Sequence, residues 1–447
     1  MPDQLTAAAR SLQAPRPSLG ERVRQLRVAR GLTQTELASD RFSKEYVSQI
    51  ERGKTRPTED TLEWLAVRLG VDRSFLETGV SSSERDRVET VLARAEAALE
   101  SNNFQEALDE LTGLRPALET VAAPALELRA LLAEAWARLS LGEVREAIGR
   151  LERARALAEA PSFSDVDRAE VVFRLAVCRY QLSSISTAVA LFSQALELAE
   201  RSALPADRLR SNILGWRSRC YRRQRDWEGA REDVERALEL AEGLNDRRSV
   251  ADHYFQASLI AERTGHWVLA RSYAERAKAQ YEELADQLAV GKMLNNLGGL
   301  NFELGKPAEA VKYLKDAYRV LLDVGSDSEA GYVVSSLAQV HLRTGDAALA
   351  EEQARHALDL LGDRVDHLAE VGNAELVLGR ALLEQDRLDE AQEMFEAAEK
   401  SFAQLSSVSH RAAAWLAHGD LAVRRGDDRQ AAHLYRRAAE ALQDFRF

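Results

Sequence analysis

"NNLGGLNFELGKPAEAVKYLKDA", residues 295–317, reads as the end of one helix, a turn at "LGKP" and a second helix running back alongside the first. Working outward from Ala310, alanines recur at 107, 147, 188, 230, 270, 310, 350, 391 and 431, separated by 40 to 42 residues. Seven residues after these anchors stand Ala154, Ala195, Ala237, Ala277, Ala317, Ala357, Ala398 and Ala438, with Leu114 in the first copy. Twelve before them stand Ala95, Ala135, Ala176, Ser218, Ser258, Gly298, Ala338, Gly379 and Gly419, all small, as closely approaching helices require. A fixed period of this length announces stacked units that bury their apolar faces on one another. The expected fold is all-α, with an α-solenoid of about nine helix pairs over residues 85–447. The first copy is degenerate, because Gly113 and Pro116 fall in its second helix. Cys178 and Cys220 lie ten before an anchor, where other copies carry Ala, Ile, Leu or Val, and read as packing residues.

Residues 18–78 lie outside the period and read as five short helices. Ser18 with Glu21, and Thr33 with Glu36, have capping-box spacing and start helices near 19–30 and 34–39. Ser43 caps a helix to about Arg52, which Gly53 ends, and Thr58 starts another that Gly70 ends. Gly53-Lys54-Thr55 is therefore a helix exit. A phosphate loop would need a second glycine at position 48, which is serine, and a helix following the triplet. In the helix from Ser43, Val47 and Ile50 face inward, leaving Lys44, Glu45, Ser48, Gln49 and Arg52 on the opposite face. Gln, Lys and Glu can read base edges, although the same residues also suit an ordinary solvated face.

The order of "GLTQTELA", "YVSQIERGK" and "RP" in about sixty residues resembles the Xre/Cro helix-turn-helix family of bacterial and phage regulators. That resemblance implies a second helix bracing the DNA backbone and a third entering the major groove. It makes Gln34 a phosphate contact or a support for the reading helix, and Ser43, Lys44, Glu45, Ser48 and Gln49 part of the DNA-reading surface. Arg52, Lys54 and Arg56 become phosphate contacts, and Arg27 with Glu51 an internal ion pair. The turn "ASDRFS" departs from the family pattern, lacking its glycine and being about one residue shorter.

The repeats resemble tetratricopeptide repeats with longer helices than the usual 34-residue unit. In that family the first helix of each pair lines a concave face, at positions 18, 15, 14, 11, 8 and 7 before the anchor. The resemblance thus nominates Asn212, Arg219, Arg222, Arg223, Phe255, Gln256, Arg263, Lys292, Asn295, Asn296, Phe302, Tyr332, Gln339, Asn373 and Arg380 as ligand-lining residues. Amides suit an extended peptide, offering a donor and an acceptor to each peptide group. From Arg208 to Arg225 there are seven arginines and no acid, and Arg219, Arg222 and Arg223 are expected to receive an anionic group of the ligand. Pairing with Glu232 and Asp233 is the alternative use of those arginines.

The chain of 447 residues carries a net charge of −12, but unevenly. Residues 1–78 hold 13 Lys/Arg against 11 Asp/Glu, and the remainder 47 against 61. Phosphate is thus approached by the head and repelled by the body. Two cysteines allow no disulfide framework and fit a reducing compartment. No apolar run approaches a membrane span, the start lacks the apolar core of a secretory signal, and a cytoplasmic protein is expected. The expected organisation is a flexible tail (1–17), a DNA-binding domain (18–78), a linker "GVSSSE" (79–84) and the repeats (85–447). Phe445 and Phe447, with no following repeat, suggest a homodimer through the last repeats. The eight histidines are scattered and no hydrolase, metalloprotease or nucleotide motif occurs, so neither an enzyme nor a cofactor nor a metal is expected. The whole resembles peptide-sensing helix-turn-helix and tetratricopeptide regulators of bacteria and phages, implying an operator-binding transcription regulator that senses a short peptide. A constitutive DNA-binding scaffold holding a partner protein is the other reading.

Overall fold

The computed structural model describes residues 17–362, 367–405 and 408–443. Phe445 and Phe447 lie outside the described residues. Among the described residues there are helices and no strands. The chain divides into two compact units, the first ending at Leu204 and the second starting at Pro205.

The first unit opens with α1 (Leu19–Ala29), α2 (Gln34–Ala38), α3 (Lys44–Glu51), α4 (Glu59–Arg68) and α5 (Arg73–Thr78). Both capping boxes read from the sequence form, and Ser43 accepts the Tyr46 N–H. Gly53 takes the left-handed conformation expected of a helix exit. The turn without a glycine places Ser39 at positive φ instead, with its hydroxyl donating to Asp40. Val23, Leu37, Val47, Ile50, Leu65 and Leu76 form the core of this head. Buried Arg22 donates to the carbonyls of Leu76 and Glu77, so its charge meets the negative end of α5.

Three helix pairs follow in the same unit: α6 (Ser82–Glu100) with α7 (Phe104–Val121), α8 (Pro124–Ser140) with α9 (Val144–Ala158), and α10 (Asp165–Gln181) with α11 (Ile185–Arg201). The stretch expected as a linker is folded. Val80 is buried in the cluster that holds Val88 and Leu92, and Ser81 caps α6. Asp72 caps α5 with one carboxylate oxygen and accepts the Ser82 N–H with the other. The degenerate first copy still makes a full pair, with Pro116 inside a continuous α7.

The second unit holds six pairs. These begin with α12 (Asp207–Gln224) and α13 (Trp227–Gly243), α14 (Arg247–Arg263) and α15 (Trp267–Glu283), and α16 (Gln287–Glu303) and α17 (Pro307–Asp323). There follow α18 (Asp327–Arg343) with α19 (Ala347–Leu361), α20 (Leu368–Glu384) with α21 (Leu388–Ala403), and α22 (Val408–Arg424) with α23 (Asp428–Gln443).

All nine anchor alanines and all nine residues seven beyond them are buried. The small position twelve before the anchor faces two things at once: the anchor's backbone and the side chain one turn past it. Ser218 and Ser258 donate to the carbonyls of anchors Ala230 and Ala270, at 2.8 and 2.9 Å. In three copies the position is glycine, set against a large side chain one turn past the anchor. A Cβ on Gly298 would lie 2.6 Å from Leu314 Cγ, one on Gly379 2.4 Å from Phe395 Cε1, and one on Gly419 2.4 Å from Tyr435 Cε1. Cys178 and Cys220 are fully buried, and burial pushes their thiols up to about 11 and about 12. They are inert packing residues.

Gly379→Ala is expected to destabilise the protein by about 1–3 kcal/mol through overpacking against Phe395. Gly113→Ala, in a helix with nothing near the new methyl, should stabilise it by roughly 0.5–1 kcal/mol. Equilibrium denaturation of the two variants checks the contrast, and equal effects would remove this account of the small positions.

Candidate DNA-reading surface and ligand groove

Helix α3 has eight residues, too few to hold itself in water. Its bracing is a buried ion pair. Arg27 Nε donates to Glu51 at 2.6 Å, the side chains being 12% and 4% exposed. The same guanidinium donates to the Leu32 carbonyl at 2.7 Å, and the Gln34 amide donates to Glu51 at 2.7 Å. Burial alone would push the Glu51 carboxyl up, but the hydrogen bonds from Arg27 and Gln34 outweigh it and hold the carboxyl below its usual range. Of the two roles expected for Gln34, this structure has it supporting α3. Phe42 adds an edge-on contact with Trp64 at 5.1 Å.

With Val47, Ile50 and Glu51 facing inward, Lys44, Glu45 and Gln49 are exposed and Ser48 half-buried on the outer side of α3. Ser43 is exposed but its hydroxyl is used as the cap. Arg52, Lys54 and Arg56 are exposed just beyond the helix. Thr55, which sequence reasoning passed over, donates to Gln49 Oε1 at 2.9 Å and so orients that amide.

In the second unit, α12, α14 and α16 bring together several of the nominated ligand residues. Arg219 lies with its guanidinium 4.5 Å from the centre of the Trp216 ring. Its Nε is buried and makes no hydrogen bond among the described residues. Asp233, one of the acids that could have absorbed these arginines, is held by Arg217 at 2.7 and 2.8 Å. Among the described residues Gln256, 5% exposed, has no partner for Oε1, and Asn295 Oδ1 is likewise buried without one. Asn296 is already engaged. Its Oδ1 lies 3.2 Å from the Ser258 hydroxyl, whose proton goes to the Ala270 carbonyl, and its amide donates to Glu262 at 3.4 Å. Burial pushes the Glu262 carboxyl up despite nearby Arg263 and this amide bond. Arg222 is half-buried and Arg223 exposed at the end of α12.

Other nominated residues do different work or lie elsewhere. Phe255 packs against the core, and Lys292 pairs with Glu329 at 2.7 Å. Tyr332 contacts His367. Asn212, Gln339, Asn373 and Arg380 are half-buried or exposed on α12, α18 and α20. Trp216 was missed although it lies fourteen before Ala230, an offset already named for other repeats. His253 was missed for lack of any signal. It is buried against Gly215 and hydrogen-bonded to Ser211 at 2.9 Å. Since the single Ser211 proton goes to the Ala237 carbonyl at 2.9 Å, His253 Nε2 is the donor of that bond. Burial and then Arg219 pull the His253 pKa down to about 4.

Residues 18–79 match a family model of the helix-turn-helix domain. Tetratricopeptide-repeat models match residues 132–205, 249–323, 289–363 and 376–444. An uncharacterized HTH-type transcriptional regulator of Sinorhizobium fredii is 44% identical over 64 residues, 14% of this chain and 83% of that protein. The chain belongs to the HTH-type transcriptional regulators. This DNA-binding regulator carries its helix-turn-helix head before a tetratricopeptide-repeat body. Among solved structures, the apo form of RapI superposes with TM-score 0.62 at 13% identity, over 80% of this chain and 97% of that one. The apo quorum sensor NprR of B. thuringiensis gives 0.61 at 13% identity, over 80% and 99%. A Rap protein complexed with competence and sporulation factor gives 0.59 at 15% identity, over 80% and 98%. These likenesses establish the regulator's repeat fold.

A histidine with a folded pKa of about 4 and an ordinary unfolded value stays neutral in the native state while the unfolded chain binds the proton. Stability is therefore full above pH 6.5 and falls as pH drops from about 6.5 towards 4, by about 3 kcal/mol at most. Denaturation at pH 7 and pH 5 should show a smaller drop in His253→Gln than in the parent. An equal drop would remove His253 as its source.

Proposed function

We propose that this protein is an operator-binding transcription regulator whose repeat body senses a short peptide. The observation that carries the DNA half is the braced outer side of α3. Lys44, Glu45, Ser48 and Gln49 stand there on a helix fixed by Arg27, Glu51 and Gln34, with Arg52, Lys54 and Arg56 beside it. Base contacts specify and phosphate contacts position, so the first group supplies preference and the second supplies affinity. The organisation is a head of residues 18–78 and a ligand-binding body of residues 85–447, working in the cytoplasm.

The sensing half rests on the polar face of α12, α14 and α16, whose unpartnered buried amide oxygens suit the N–H groups of an extended chain. The complex of a Rap protein with competence and sporulation factor supports the reading by likeness of fold. A ligand changes DNA binding only through different affinities for two conformations of the body. Two heads in a homodimer would meet half-sites about 34 Å apart, one helical turn. The last repeats supply a surface for that dimer in exposed Leu416, Val423 and Leu442.

In a selection from random duplexes, Gln49→Ala should relax sequence preference. Lys54→Ala should instead weaken all duplexes alike and lower the salt slope by about one per monomer. Parent-like selectivity and salt slope in both variants would refute the assignment. Light scattering should show a dimer for the parent and a monomer for a Val423→Asp, Leu442→Asp double variant. An unchanged dimer mass would move the interface elsewhere.

A further inference from the structure

Two glycines stand side by side in the middle of α16, and the packing of the repeats requires only the first. Gly298 faces Leu314, whereas Gly299 is exposed and a Cβ there would meet nothing within 4 Å. An exposed glycine in mid-helix costs stability relative to alanine, and no turn or positive φ calls for it here. Gly299 lies four residues after Asn295 and three after Asn296, on the same face of the helix. The missing side chain leaves open space on the face that α12, α14 and α16 present.

At the α12 end of that face is a cation held ready. The Arg219 guanidinium carbon lies 4.5 Å over the Trp216 ring, its Nε is buried, and it makes no ion pair among the described residues. A planar guanidinium fixed on an aromatic ring keeps its edge oriented for a two-oxygen partner, and its ordering has been completed before the ligand arrives. His253 beside it is a neutral neighbour, hydrogen-bonded to Ser211, and supplies no counter-charge. On α14, between these two helices in the chain, Gln256 is buried, and its oxygen has no partner among the described residues. An unmade hydrogen bond at a buried amide is costly, and a ligand N–H relieves it.

We infer that the groove is a polarised socket, in which Arg219 takes a carboxylate of the ligand and the open space at Gly299 seats one of its bulky side chains. This rests on the peptide reading above and adds to it which chemical group lies where. A terminal and a side-chain carboxylate present the same two oxygens, so either satisfies Arg219.

The test uses the full-length protein and three pooled libraries of seven-residue peptides, with retention read by mass spectrometry. One pool has free C-termini, one is C-terminally amidated, and one is amidated and free of Asp and Glu. The pool with no carboxylate should be retained about tenfold less than at least one of the others, the loss expected when a hydrogen bond to a charged group is removed. Loss on amidation alone identifies the terminus as the source, and loss only in the third pool identifies a side chain. Arg219→Met should abolish the difference between pools. Gly299→Trp should abolish retention, whereas Gly299→Ala should keep it and raise the melting temperature. Equal retention of all pools by the parent, or a preference that survives Arg219→Met, would overturn the carboxylate assignment and leave the peptide reading standing. Retention by Gly299→Trp would overturn the seat at Gly299. Failure of the parent to retain any pool would overturn the peptide reading and this inference with it.

Discussion

Everything in the repeat body depends on the close approach of the two helices within each pair. The position twelve before the anchor has room for a hydrogen, a methyl or a hydroxymethyl group and nothing larger. At Ser218 and Ser258 the hydroxyl gives its proton to the anchor carbonyl, and at three glycines the space is filled by Leu314, Phe395 or Tyr435. Each glycine lowers helix propensity by about 1 kcal/mol, a loss offset by burying a large side chain against bare backbone. Once this seam is satisfied, the outer face of each first helix is released from packing. That release is why the lining residues vary so much in chemistry from repeat to repeat, and why an unexplained glycine on that face, Gly299, carries information.

The head solves a different problem with a polar device. Helix α3 must be held rigidly enough for side chains to reach fixed base edges, yet it is only two turns long. Val47 and Ile50 anchor it by apolar contact, which leaves rotation and sliding weakly opposed. The Arg27–Glu51 pair and the Gln34 amide oppose them, because hydrogen bonds are directional and a buried carboxylate tolerates no loss of partners. The head is also not hung on a free tether. Asp72 binds backbone N–H groups on both α5 and α6, and Val80 is buried with the first repeat.

The repeat period and the caps were legible in the sequence because each is set by spacing along one or two helices, whereas the Arg27–Glu51 pair came only from the family resemblance. Ser18 with Glu21 is a local geometry, and the alanine anchors recur at fixed intervals. The folded stretch at 79–84 was not legible. Its serines and glycine have the composition of a linker, and only the burial of Val80 by residues further along reverses that. Contacts between repeats were equally hidden. Asn296 reads as an open amide until Ser258 and Glu262 of the preceding pair come within hydrogen-bond distance. Trp216 carried the right offset, yet its importance lies in its cation–π contact with Arg219, which spacing alone does not convey.

The arginines of α12 show how helix geometry sorts one composition into separate roles. Residues two apart on a helix point about 200° from each other, so Arg217 and Arg219 face opposite sides. Arg217 reaches Asp233 on the second helix of its own pair and completes a two-oxygen bridge there. Arg219 lies on the other side, near neutral His253 of the next first helix, whose acid Glu262 is engaged by Asn296. An acidic body thus keeps a patch of positive charge because the pairing acid lies on the wrong side of the helix to quench it. Composition counted seven arginines in this stretch, and the 100° step between successive residues decides which of these two stays available to a ligand.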